Sequence, residues 1–327
     1  MTPVSTDPVA ESETPVTTAP YTAENWPIAA AMLPFGSVDS HGGPIHDAEP
    51  EEWAKHLRLV ARSGFTEVDP TDTWVRVADL SSERLADFRA VLADTGLTIP
   101  AISTSRRSVM DPEHGKEYLA YSHRLLDVAA ELGVPMVSFG FFQAFTPAQE
   151  KALWFWLAEG WHDDESPEAR SRAASLIREL AEHAQSNGQQ ITLEMYEDTY
   201  VGTADGAVAF LAEVGHPACG LNPDIGNFVR LHRPLEPVQD MLDKLLPHTN
   251  YWHVKNYLRD EDPETGQVMT FPVPMDFGLI NYRAAITKAI GLGFRGAFLC
   301  EHYGSDAITV IAKNRAYIRD ILATVID

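Results

Sequence analysis

Eight short apolar runs, separated by longer stretches with helical periodicity, leave few folds open to this chain. The runs read PIAAAML, TEVD, LTIPAIS, PMVSFGFF, QQITLEMY, ACGLNPD, NYWHVKN and GAFLCEH. Such alternation produces parallel strands covered by helices. The intervening stretches carry apolar stripes, Leu125, Ala129 and Leu132 in one and Ile311, Ile318, Leu322 and Val325 in another, as a helix with one buried face requires. In ARSGF, LADTGL, AAELGV, AQSNGQ and IGLGFRG a glycine stands just before a strand, where a helix ends in a left-handed residue. Eight strand-helix units predict a single (β/α)8 barrel over residues 26–327. Residues 1–25 are rich in Pro, Thr, Ser and Glu, without the basic start and apolar stretch of a secretory signal, and are expected to form a disordered tail.

Length and charge narrow the function. A chain of 327 residues suits one such barrel. No apolar run approaches the roughly 20 residues needed to span a bilayer, so no membrane segment is expected. A formal net charge of -22 repels phosphate backbones and anionic lipid, which excludes nucleic acid as a partner. Cys219 and Cys300 lie in separate apolar runs without metal-type spacing, as in a reducing cytoplasm, the expected location. GLGFRG matches the glycine pattern of a dinucleotide loop but precedes a strand instead of following one, so its glycines are read as helix ends. P-loop, HExxH and GxSxG motifs do not occur. Two insertions, residues 143–170 and 257–278, follow the fourth and seventh strands on the face where barrels build active sites.

Side chains at the C-terminal ends of barrel strands converge on one mouth however distant they are in sequence. The fifth run ends in Glu194, the sixth in Asp224, the seventh holds His253 and the eighth ends in Glu301. Each alone has an ordinary structural reading: a lysine partner, a helix N-cap, a satisfied core histidine, an ion pair with His302. Together they place ionisable groups on four successive strands, which points to one site. Buried carboxylates repel one another and are costly to desolvate, so the cluster calls for a cation. Oxygen donors with one nitrogen suit a hard to borderline divalent ion, manganese first, with magnesium, cobalt or zinc as alternatives.

This ordered quartet resembles the metal ligands of the xylose isomerase-like TIM barrel superfamily of sugar isomerases and epimerases, over roughly residues 27–325. MDFGLINYRAAI resembles the segment that opens that family's seventh helix. The sequence departs from the pattern at two positions: Asn227 stands where many members have His, and Asn256 where many have Asp after the lysine. The resemblance implies that Glu194 and Glu301 move protons as well as binding metal, that a sugar carbon beside a carbonyl is deprotonated, and that Lys255 stabilises developing negative charge. Asn227 is expected to contact substrate.

Trp154, Phe155, Trp156 and Trp161 in the fourth-strand insertion, followed by His162, suit a flat substrate portion better than a phosphate, or else helix packing. The combination is most similar to the large (α) subunit of C-glycoside deglycosidases. That likeness implies β-elimination cleaving the carbon-carbon bond of an oxidised aryl C-glycoside, a histidine serving the leaving group, and a small β-type partner subunit. His41 and His46 are the first candidates, with His302 and His162 behind them. The other readings are a keto-sugar isomerase or 3-epimerase and a non-catalytic metal-binding barrel subunit. An oligomer is expected in each case.

Overall fold

A computed structural model describes residues 21–326. Its elements run β1 (Ile28–Ala31), α1 (Pro50–Arg62), β2 (Glu67–Asp69), α2 (Ser82–Thr95), β3 (Ile102–Ser103), α3 (Gly115–Glu131), β4 (Met136–Phe139), α4 (Pro147–Lys151), α5 (Pro167–Ser186), β5 (Gln190–Glu194), α6 (Ala204–Val214), β6 (Cys219–Asn222), α7 (Gly226–Val229), α8 (Val238–Leu245), β7 (Trp252–Val254), β8 (Asn256–Glu261), β9 (Val268–Val273), α9 (Tyr282–Gly291), β10 (Phe298–Cys300) and α10 (Ala307–Ile326). Each of the eight apolar runs contains one barrel strand. The parallel strands form two arcs, β2-β1-β10-β7 and β3-β4-β5-β6. Parallel bridges Glu67 to Thr98 and Leu221 to Thr249 join the arcs into a closed ring, which removes exposed sheet edges.

Alternation along the strands sorts the side chains into two cores. Ile28, Ala30, Val68, Val137, Ile191, Trp252 and Phe298 face outward and meet helix stripes that include Leu57, Leu125, Ala129, Ile177, Ile318 and Leu322. Ala29, Ala31, Ala101, Met136, Tyr251 and Leu299 fill the inside of the ring. Truncating a buried leucine of the outer layer, such as Leu125, to alanine costs about 2–5 kcal/mol. The sequence-predicted helix ends are left-handed, Gly133 at φ 72° and Gly293 at φ 93°, so GLGFRG closes a helix and is not a nucleotide loop.

Two segments differ from the expectation. Of the expected tail, residues 1–20 lie outside the described residues, whereas residues 21–25 pack on the barrel. There Ala23 is buried and its carbonyl accepts from Arg319 at 2.7 Å, while Trp26 donates to the Gly296 carbonyl at 2.8 Å. The insertion after β7 is an antiparallel hairpin, β8 with β9, closed by a turn in which the Asp262 amide donates to the Gln267 carbonyl at 2.9 Å.

Candidate metal centre

The four strand-end residues meet at one end of the ring. Glu194 closes β5, Asp224 follows β6, His253 lies within β7 and Glu301 follows β10, and all four are buried. Donor atoms of Glu194, Asp224 and His253 all lie within 4.8 Å of one another. His253 Nδ1 is 3.2 Å from Glu194 Oε2 and 3.9 Å from both Asp224 Oδ2 and Glu301 Oε2. Lys255, only 2% exposed, reaches the same centre, its Nζ donating to Asp224 Oδ2 at 2.6 Å and to Glu301 Oε2 at 2.9 Å. Gly226 makes room for it, since a Cβ there would stand 2.6 Å from Lys255 Cγ. Lys255 therefore lies within the cluster and not in solvent at the strand end.

The donor set fits a divalent cation. Three buried carboxylates face one lysine, so with His253 neutral and the carboxylates ionised two negative charges remain in a low-dielectric interior. His253 Nδ1 and Asp224 Oδ1 are buried without a hydrogen-bond partner, an arrangement expected of atoms that await another ligand. Burial alone pushes Glu194 up, but the facing His253 outweighs it and brings the carboxyl down to about 2. Burial lowers His253, and the three carboxylates overcome this and raise it to about 9. Asp224 is held at about 7 by burial and by the neighbouring glutamates, against Lys255. A proton on His253 therefore competes with a metal for this centre.

Behind His253 lies a relay that the sequence reading missed. Asp69 at the end of β2 accepts from the Ser103 amide at 2.9 Å and from the Ser103 hydroxyl at 2.6 Å. Tyr251 also donates to the carboxylate, at 2.8 Å. The single hydroxyl proton of Ser103 is thus committed to Asp69, so Ser103 Oγ accepts from His253 Nε2, 3.1 Å away. Nε2 then carries a proton and Nδ1 can present its lone pair to a metal. Burial raises Asp69 to about 6, partly opposed by Ser103. The signal was present, since TEVD and LTIPAIS end in these two residues.

A cavity opens over the centre. Glu194, His253 and Glu301 line it together with Asn227, Thr71, Thr73, Ser103, Thr104, Ser105, Arg106, Phe142, Tyr196 and Tyr303, whereas Asp224 and Lys255 lie behind. Asn227 donates to Glu194 Oε1 at 3.1 Å and to the Met195 carbonyl at 2.9 Å, so it aims a glutamate while facing the cavity. Asn256 does neither. It donates to the Met275 and Ile280 carbonyls, both at 2.9 Å, and clamps the end of the hairpin insertion.

The structure does not bring the remaining candidates to the cavity wall. Trp156 is 4% exposed and stacks near Trp154. Phe155 and Trp156 pack on the buried Arg230 guanidinium at 4.7 and 5.2 Å, which Glu197 pairs at 3.0 Å. Trp161, 53% exposed, borders an adjoining cavity that shares Arg106 and Tyr196 with the first. His41 and His46 stand in the loop after β1, His302 is buried beside Glu301, and exposed His162 pairs with Glu159 at 3.2 Å. Arg106 was missed. It lines the cavity, donates to the Tyr196 hydroxyl at 3.0 Å and lies over the Phe145 ring at 3.9 Å.

Comparisons with known proteins show the family to which this fold belongs. The model of the xylose isomerase-like TIM barrel family matches residues 57–321. A solved xylose isomerase-like TIM barrel protein from Mycobacterium smegmatis, in complex with magnesium, is 52% identical, with a TM-score of 0.91 over 94% of this chain and 100% of that one. An L-ribulose 3-epimerase is 16% identical, with a TM-score of 0.64 over 91% of this chain and 95% of its own. The 3-keto-D-glucoside 4-epimerase from E. coli is 15% identical, with a TM-score of 0.60 over 90% and 100%. No curated protein sequence matches. Among the described residues no helix is long and apolar enough to cross a membrane. The chain belongs to the xylose isomerase-like TIM barrel family.

Proposed function

We propose that this protein is a divalent-metal-dependent enzyme that removes a proton from the carbon beside a sugar carbonyl and returns it, as a keto-sugar epimerase or isomerase. The observation that carries this reading is the division of the buried cluster. Glu194 and Glu301 line the cavity while Asp224 and Lys255 stand behind them, so two carboxylates face a substrate and the charges that position them do not.

Glu194, Asp224 and His253 would hold the cation, with Glu301 beside them. Magnesium, present in the Mycobacterium smegmatis relative, and manganese both suit this donor set. When bound, the cation polarises the substrate carbonyl and offsets the charge that develops on its oxygen. The two glutamates then act as base and acid, Asn227 fixing the carboxylate of Glu194 and Lys255 that of Glu301. Hydroxyls of Thr71, Thr73 and Ser105 around the cavity match a polyhydroxylated substrate.

The same proton abstraction could instead expel an aglycone by β-elimination, the C-glycoside lyase reading. That reading relies on aromatic planes at the site, and Trp156 is packed on Arg230 while Trp161 borders an adjoining cavity beyond Arg106 and Tyr196. The epimerase reading is therefore favoured, in line with the epimerases among proteins of this fold. Incubation of the magnesium- or manganese-loaded protein with a panel of keto-sugars and a 3-oxo-C-glucoside, followed by chromatography, tests the choice. Sugar epimers or isomers are expected. Free aglycone without epimers would establish the lyase, and no product from any substrate would leave the non-catalytic barrel.

A further inference from the structure

On the outer helical layer, two histidines meet nitrogen to nitrogen. His123 on α3 and His183 on α5 place their Nδ1 atoms 2.7 Å apart. Their ring centroids are 5.0 Å apart, so the two nitrogens lie close to the line between the ring centres and their lone pairs meet nearly head-on. The far nitrogen of each ring is engaged. His123 Nε2 is 2.8 Å from Glu179 Oε1, and His183 Nε2 is 2.8 Å from Asp127 Oδ1. Each helix thus supplies one histidine and, four residues away, one carboxylate that orients the histidine of the other.

An ionised carboxylate only accepts hydrogen bonds, so both Nε2 atoms carry protons, and when both rings are neutral both Nδ1 atoms present lone pairs. Two lone pairs cannot face each other at this distance without a cation between them, either a proton shared by the two rings or a metal ion. Carboxylate, imidazole and open nitrogen in series is the arrangement in which histidines bind metal, because the carboxylate fixes the tautomer and raises the basicity of the ligating nitrogen. We propose that His123 and His183 form a second cation site, separate from the barrel centre, which takes a transition ion of the zinc, nickel or copper class. Two neutral imidazoles select such ions, whereas magnesium demands oxygen. A tetrahedral zinc with bonds of about 2.0–2.1 Å sets two nitrogens about 3.3–3.4 Å apart, so the rings separate by about 0.6–0.7 Å and tilt until both lone pairs converge on the ion. Water completes the shell. The histidine side chains are 29% and 24% exposed, and those of Glu179 and Asp127 are 52% and 63% exposed. An ion here staples α3 to α5 across β4, and because it binds only the folded arrangement it stabilises the fold.

The test uses the full chain carrying His253→Gln, which disables the barrel centre, stripped of metal and dialysed against zinc. One zinc per chain and a zinc-dependent rise in the melting temperature are expected. Adding His123→Gln or His183→Gln should abolish both, and Asp127→Ala should weaken zinc by about 10–100-fold. Should His253→Gln itself unfold the chain, the native sequence is expected to bind two zinc ions and its His123→Gln variant one. Zinc binding that is unchanged by His123→Gln and His183→Gln overturns the proposal, and leaves the pair bridged by a proton alone.

Discussion

Asp69→Asn probes the site through a residue that touches neither substrate nor metal. In the native chain the Ser103 amide donates to Asp69 Oδ1 at 2.9 Å, while Oδ2 receives the hydroxyls of Ser103 at 2.6 Å and Tyr251 at 2.8 Å. The amide donor obliges the carbonyl oxygen of an asparagine to take the Oδ1 place, so its NH2 falls at Oδ2. That NH2 donates to Ser103 Oγ, and the serine proton turns toward His253 Nε2. The imidazole proton then belongs on Nδ1, where the metal should bind. Disturbing the partner of a ligating histidine lowers metal affinity by about 10–100-fold, equal to about 1.4–2.7 kcal/mol. Calorimetric titration of the metal-free protein with manganese at pH 8 measures it, with nitrogen NMR of His253 reporting the tautomer. Ser103→Thr keeps the hydroxyl and should retain near-native affinity. Protonating Asp69 converts its acceptor into a donor, so native affinity should also fall as the pH drops through about 6. Native affinity in Asp69→Asn, with the proton still on Nε2, would refute the relay.

Other perturbations separate charge from packing. Lys255→Met leaves Asp224 and Glu301 without the ammonium that both contact, so the metal-free protein should lose about 3–5 kcal/mol in urea unfolding. Saturating magnesium should recover part of that loss, and an equal loss with and without metal would count against a shared centre. Asp163, which accepts from the Tyr200 amide at 3.1 Å, is raised by burial to about 7. The unfolded chain therefore ionises first, and native stability is lost between about pH 4 and 7. Asp163→Asn escapes this, and should be more stable than the native chain by about 1–3 kcal/mol at pH 8 but not at pH 4. An equal difference at both values would show that the carboxyl does not titrate with folding.

The fold was legible because a barrel repeats its signal, each strand a short apolar run and most helix ends a glycine. The hairpin was not, since β8 and β9 alternate on a mostly exposed ribbon and mimic an irregular insertion. The meeting of the four strand-end residues followed from one geometric rule, that strand ends converge. Applied also to TEVD and LTIPAIS, the same rule finds Asp69 and Ser103. Asn256 shows the converse. Side chains alternate along a strand, so His253 and Lys255 share the inner face and residue 256 points away. Its departure from the family pattern therefore falls on a loop clamp and not on the site. The tryptophans were misleading for another reason: sequence places them near the mouth but cannot show that Arg230, from beyond β6, captures Phe155 and Trp156. Arg106 gave no local signal, because its place follows from a left-handed loop residue at φ 55°.

Solvent exchange tests the central claim most directly. The protein loaded with magnesium or manganese is incubated in heavy water with keto-sugars, and deuterium at the carbon beside the carbonyl is followed by NMR. Exchange is expected with at least one sugar, lost on removal of metal and slowed by about 10²–10⁴-fold in Glu194→Gln and Glu301→Gln while the chain stays folded. Stoichiometric metal with no exchange on any sugar, or exchange undiminished by both substitutions, would contradict it.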